Sequence, residues 1–126
     1  MNYNDLIRIV LDDKKYSIVG DALLNAAATL HSIDKGKPKS VRVKNTVLAN
    51  ALRQVGLSDI HRRSKHKLAD IYEAIVGYAY LNNLITLEDL RSIFVRFESE
   101  RLDSDFFSLI ILSPNISTIH TFKKTR

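Results

Sequence analysis

The fourteen residues Leu68-Ala-Asp-Ile-Tyr-Glu-Ala-Ile-Val-Gly-Tyr-Ala-Tyr-Leu81 constrain this chain more than any other stretch. Apart from Asp70 and Glu73 they are apolar almost all the way round a helical wheel, the mark of a helix packed on several sides. Other helices must cover it, so the expected fold class is an all-α helix bundle. Asp70 and Glu73 are three residues apart and project from one face. Two carboxylates on a mostly buried helix repel and lose hydration, at a cost on the order of several kcal/mol unless a cation or a proton compensates. Lys67 is one counterion within reach, and such a pair can also serve as a solvated face or as the partner of an arginine.

The same oddity occurs upstream. In Ile18-Val-Gly-Asp-Ala-Leu-Leu-Asn-Ala-Ala-Ala-Thr-Leu30 the sole charge is Asp21. If the two helices cross at Asp21 and Asp70/Glu73, three oxygen-bearing side chains meet, a set suited to a hard cation such as Mg²⁺ or Mn²⁺. Gly77, in mid-helix, costs ~1 kcal/mol relative to Ala and signals the close approach of another backbone. Tyr72, Tyr78 and Tyr80 read as core or dimer packing.

Helical signals dominate the rest of the chain. Asn4 is expected to cap a first helix to about Asp13, with Leu6, Ile7, Val10 and Leu11 on one face. A second is expected from about Ser17 to Ser32, stopping before the turn cluster at Asp34 to Pro38. A third, capped by Ser40, runs to Gly56 on a stripe of Val43, Val47, Leu48, Ala51, Leu52 and Val55. The fourth runs from about His66 to Leu81. Thr86 and Asp89 form a capping box, with Asp in place of the usual Glu, opening a fifth helix to about Glu98. Residues 1–102 read as one domain. Residues 103–126 read as a C-terminal extension: a short helix plus an extended arm on a partner subunit or on RNA, or a frayed end.

Charge is distributed unevenly. Lys35 to Lys67 holds ten Lys or Arg residues against the single acid Asp59, while Leu84 to Asp105 holds six acids against three arginines. With a net charge of +5, a basic half of this density favours polyanions, and nucleic acid is the natural partner; an ordinary solvated face is the alternative. Neither Lys37, Lys39, Arg42, Lys44 nor Arg62, Arg63, Lys65, Lys67 is interleaved with aromatics, which suits duplex RNA read through its phosphates better than stacked single strands. His61 and His66 suit phosphate contacts or the surface better than metal ligation. Cysteine is absent, which excludes disulfides and thiolate chemistry. No exported leader is visible and no run reaches the ~20 apolar residues of a spanning helix, so a cytoplasmic protein without membrane partners is expected.

Three stretches carry a family resemblance. Gly20-Asp21-Ala22-Leu23-Leu24 resembles the core of the ribonuclease III signature, and Leu68 to Leu81 is similar to that family's second acidic motif almost position for position. Between them, Val47-Leu-Ala-Asn-Ala-Leu-Arg-Gln-Val-Gly-Leu57 is similar to the family helix ending in Gly-Leu. The resemblance spans roughly residues 16 to 83, in the manner of the short mini-ribonuclease III relatives, which carry no separate double-stranded RNA-binding domain.

The resemblance implies a helical endonuclease domain that forms a homodimer and lays duplex or structured RNA in a basic valley. It implies that Asp21, Asp70 and Glu73 bind Mg²⁺, with Mn²⁺ as a plausible substitute, for phosphodiester hydrolysis. The chain departs from the signature at two positions, where Ser17 and Lys14 stand in place of glutamates four and seven residues before Asp21. The mini-ribonuclease III relatives also lack the nearer glutamate. A degenerate module that binds RNA without cutting it is the alternative.

Overall fold

The computed structural model describes residues 3–54 and 64–97, and among these the chain forms five helices and no strand. They are α1 (Tyr3–Leu11), α2 (Lys15–Asp34), α3 (Asn45–Gln54), α4 (Lys65–Leu81) and α5 (Leu87–Phe97). Helix α4 is the centre of the bundle. α1, α2 and α3 pack on it, and α5 packs on α2. Every residue from Ile71 to Ala79 is buried, as a helix apolar on all faces requires. Tyr72 and Tyr78 are fully buried, and Tyr78 meets Tyr16 of α2 edge to face at 5.1 Å. Tyr80, by contrast, is exposed. No helix among the described residues is long and apolar enough to cross a membrane.

Local signals set most of the helix ends. Ser64 caps α4, its hydroxyl accepting from the Lys67 N–H. At α5 the Thr86 N–H donates to Asp89 at 2.8 Å and the Asp89 N–H donates to Thr86 Oγ1 at 3.0 Å, a reciprocal capping box closed by Asp. Helices α2 and α4 both end in Schellman motifs. Gly36 takes the left-handed position after α2 (φ 77°) and Asn83 takes it after α4 (φ 61°). In each, the N–H one residue further on reaches back to the last turn, Lys37 to the Ser32 carbonyl and Leu84 to the Ala79 carbonyl.

Three helices differ from the sequence reading at their ends. α1 already includes Tyr3, so Asn4 lies inside it and not ahead of it. α2 begins at Lys15 and runs to Asp34, because Asp13 accepts from the Lys15 N–H and Lys14 starts the helical bonding, leaving Ser17 in the first turn. The largest difference is at α3. Ser40 does not cap it: residues 37–44 form no helix, and the Lys44 carbonyl accepts the first helical bonds, from Val47 and Leu48. Val55 and Gly56, and the C-terminal extension 103–126, lie outside the described residues.

The extended segment owes its conformation to α2. Asn25, Thr29 and Ser32 lie on one face of that helix, roughly 4.5–6 Å apart along its axis, so their side chains can reach alternate residues of an extended chain, which repeat every ~6.6 Å. They bond alternate residues of the segment running the other way. Ser32 Oγ accepts from the Lys39 N–H (3.0 Å), Thr29 Oγ1 from the Val41 N–H (3.0 Å) and Asn25 Oδ1 from the Val43 N–H (2.8 Å). Val41 and Val43 thereby turn onto the core, while Ser40, Arg42 and Lys44 stay exposed.

Candidate functional site

The site begins where α2 crosses α4. At Gly20 there is no room for a side chain, because a Cβ would fall on the Glu73 carbonyl oxygen. At Gly77 a Cβ would fall on the Tyr16 carbonyl oxygen and lie 2.9 Å from the Gly20 nitrogen. The two glycines allow backbone contact, and this contact carries Asp21, the next residue on α2, to Glu73.

The three sequence-predicted acids are unequally placed. Glu73 is 8% exposed, Asp21 is half-buried and Asp70 is exposed. Glu73 is pushed up to about 8, first by burial, then by its hydrogen bond to the Asp21 carboxylate and by the charges of Asp21 and Asp70, with Arg42 opposing them. Of the two compensations open to crowded carboxylates, burial and the neighbouring negative charge favour the proton on Glu73, in the position to donate to the Asp21 carboxylate. Asp70 stands close enough to act on Glu73 by its charge. Among the described residues no three acidic or imidazole side chains stand together as a ready-made ion cage.

The donor chemistry nevertheless fits a hard divalent ion. A buried carboxyl held neutral only by desolvation and neighbouring negative charge, in contact with a second carboxylate, offers oxygen ligands whose repulsion a cation would relieve. Asp21 has one further partner: Asn25 Nδ2 donates to its Oδ1 at 3.1 Å. One turn before Asp21, the Ser17 hydroxyl donates to the Lys14 carbonyl, so this turn of α2 adds no carboxylate.

The cation whose charge acts on Glu73 is Arg42, delivered by the extended segment, and not Lys67, whose side chain is exposed in the first turn of α4. Lys37, Lys39 and Lys44 are exposed along the same segment, and Lys65 is exposed beside Lys67. Asn45 Nδ2 contacts His66 Nδ1 at 3.2 Å, joining the start of α3 to the start of α4 and so bringing the Lys44 end of the segment towards the turn of α4 that carries Lys65 and Lys67. Between α2 and the extended segment lies an open groove of about 350 Å³, bordered by Asn25, Thr29, Leu30, Ser40, Val41 and Arg42. Arg62 and Arg63 lie outside the described residues. Sequence reading missed Asn25, Thr29 and Ser32. Their signal was a polar stripe at i, i+4 and i+7 on an otherwise Ala/Leu-rich helix, facing a period-2 Val-Arg-Val-Lys run.

The Glu73 proton makes a pH prediction. An unfolded Glu titrates near 4.5 and the folded one at about 8, so the folded state binds the extra proton. The resulting stabilisation is full below about pH 4.5 and is lost as pH rises through about 8, with a limiting slope of about 1.4 kcal/mol per pH unit. In EDTA, urea unfolding should show wild-type stability falling relative to Glu73→Gln across that window, because the glutamine stays neutral. A constant difference between the two proteins from pH 5 to 8 would contradict the shared proton.

A protein-family model described as Ribonuclease III matches residues 14–108, which is 95 of the 126 residues. No curated protein matches the chain.

Proposed function

Since the chain belongs to the ribonuclease III family, a family of RNA endonucleases, we propose that it is a divalent-metal-dependent endoribonuclease that hydrolyses double-stranded or structured RNA. The observation that carries this reading is the contact of Asp21 with Glu73 across the glycine crossing, with Asp70 alongside and an exposed basic segment next to them. Asp21, Asp70 and Glu73 would hold Mg²⁺ or Mn²⁺. Bound there, such an ion supplies the Lewis acidity that activates water and offsets charge at the scissile phosphate.

The chain's own residues do the rest. Lys37, Lys39, Arg42, Lys44, Lys65 and Lys67, with Arg62 and Arg63, bind duplex phosphates and set its register without reading sequence. Arg42, whose charge acts on Glu73, places positive charge where negative charge develops on phosphorus. Ion binding requires Glu73 to release its proton, so affinity rises with pH up to about 8. The reading includes a homodimer. Ile18 and Ile33, 61% and 50% exposed on α2, are apolar surface for a second copy to cover.

Long duplex RNA incubated with the purified protein should be cut in Mg²⁺ and left intact in EDTA. A second reading, a module that binds RNA without cutting it, is favoured by Ser17 and Lys14, where the signature carries glutamates. It predicts duplex binding in both conditions and cleavage in neither.

A further inference from the structure

The polar stripe of α2 makes three bonds to the extended segment, and one of them differs from the other two. Thr29 and Ser32 bond residues 39 and 41 of the segment and neighbouring backbone only. Asn25 bonds the segment at Val43 and also bonds Asp21. Its amide orientation is dictated by chemistry. The Val43 N–H can only donate, so the Asn25 oxygen must face it, and the amide NH₂ is left pointing at the Asp21 carboxylate. No other side chain of this size supplies one acceptor and one donor along two directions. Asp lacks the donor, and Ser and Thr are too short to span both partners.

The segment held in this way carries Arg42, the cation acting on Glu73, between the bonded residues Val41 and Val43. One half-buried amide therefore links an acid of the proposed metal site to the backbone that presents the basic residues. We propose that Asn25 is a positioning residue that fixes the Asp21 carboxylate and the Arg42-bearing segment in one register, so that ion binding and RNA placement depend on the same side chain. The inference rests on the nuclease reading above. It assigns Asn25 no contact with RNA or with the reacting atoms.

The test compares Asn25→Ala with Thr29→Val. Both remove one bond to the segment, and only the first touches Asp21. Duplex RNA affinity, measured in EDTA, should weaken in both variants. Mn²⁺ affinity, measured directly by paramagnetic resonance of the free ion, should fall about 10- to 100-fold in Asn25→Ala, the usual effect of losing an outer partner of a ligand. In Thr29→Val it should stay within about twofold. In single-turnover cleavage, Asn25→Ala should lower the maximal rate as well as the affinity, and Thr29→Val the affinity alone. Should Asn25→Ala fail to fold, Asn25→Asp keeps the acceptor for Val43 and sets a carboxylate beside Asp21, so its Mn²⁺ affinity should shift at least about tenfold. Equal Mn²⁺ affinities in wild type and the Asn25 variant, or equal losses in the Asn25 and Thr29 variants, overturn the assignment while leaving the nuclease reading intact. A wild-type protein that binds no Mn²⁺ overturns the nuclease reading itself, and this inference with it.

Discussion

Replacing Asp70 by Asn is expected to lower single-turnover cleavage of duplex RNA by about a thousandfold or more, while duplex affinity in EDTA stays within about twofold. The asymmetry follows from position. Asp70 is exposed at the start of the crowded acid face, so its substitution disturbs no packing, and removing its charge takes an oxygen ligand from the proposed ion site without adding bulk. Loss of one negative charge from the acid face cannot weaken a polyanion's grip by repulsion, so a fall in RNA affinity has no electrostatic source. Gel analysis of cleavage in Mg²⁺ and filter binding in EDTA separate the two quantities. Cleavage within tenfold of wild type would remove Asp70 from the chemistry, and a parallel loss of binding and cleavage would make it a structural residue.

The second large effect concerns the helix crossing. Gly→Ala in a helix interior ordinarily stabilises by ~1 kcal/mol. At Gly20 and Gly77 the sign should reverse, because the added methyl meets backbone: the Glu73 carbonyl in one case, the Tyr16 carbonyl and Gly20 nitrogen in the other. Backbone within two packed helices cannot swing aside as a flexible side chain can, so overpacking should cost about 3 kcal/mol or more in either variant. Thermal melts should fall by roughly 10–20 °C. Gly36→Ala is the contrast, since nothing lies within 4 Å of its Cβ and the strain comes from φ +77° alone, which costs about 1 kcal/mol. Because the crossing also brings Asp21 to Glu73, any Gly20→Ala protein that remains folded should lose cleavage more completely than stability. A Gly20→Ala protein as stable and as active as wild type would mean that the helices do not touch there.

Several features of this molecule were legible residue by residue. The apolar girth of Leu68 to Leu81 announced a central helix, and α4 is buried at every residue from Ile71 to Ala79. Thr86 and Asp89 announced a cap that the hydrogen bonds complete. Gly77 announced a backbone neighbour, and α2 is there. The extended segment was misread as the start of α3 because Ser40, following Pro38, looks like a cap. The overlooked signal was the alternation of Val41 and Val43 with Arg42 and Lys44. Its backbone partners come from side chains 7, 12 and 18 residues away, and no local propensity reports a bond of that kind.

By itself the sequence determined what depends on neighbours along the chain: helix periodicity, the capping box of α5, the solitary acids on two apolar helices, and the family those acids belong to. Tertiary structure alone decided which groups meet. It set Glu73 against the Asp21 carboxylate, chose Arg42 over Lys67 as the opposing cation, and laid residues 39–43 along α2. The reason is physical. A helix satisfies its own backbone within four residues, so its existence can be read locally. An extended segment and a buried acid must find their hydrogen bonds and counter-charges elsewhere, and only the packing of α2 on α4 fixes where those are.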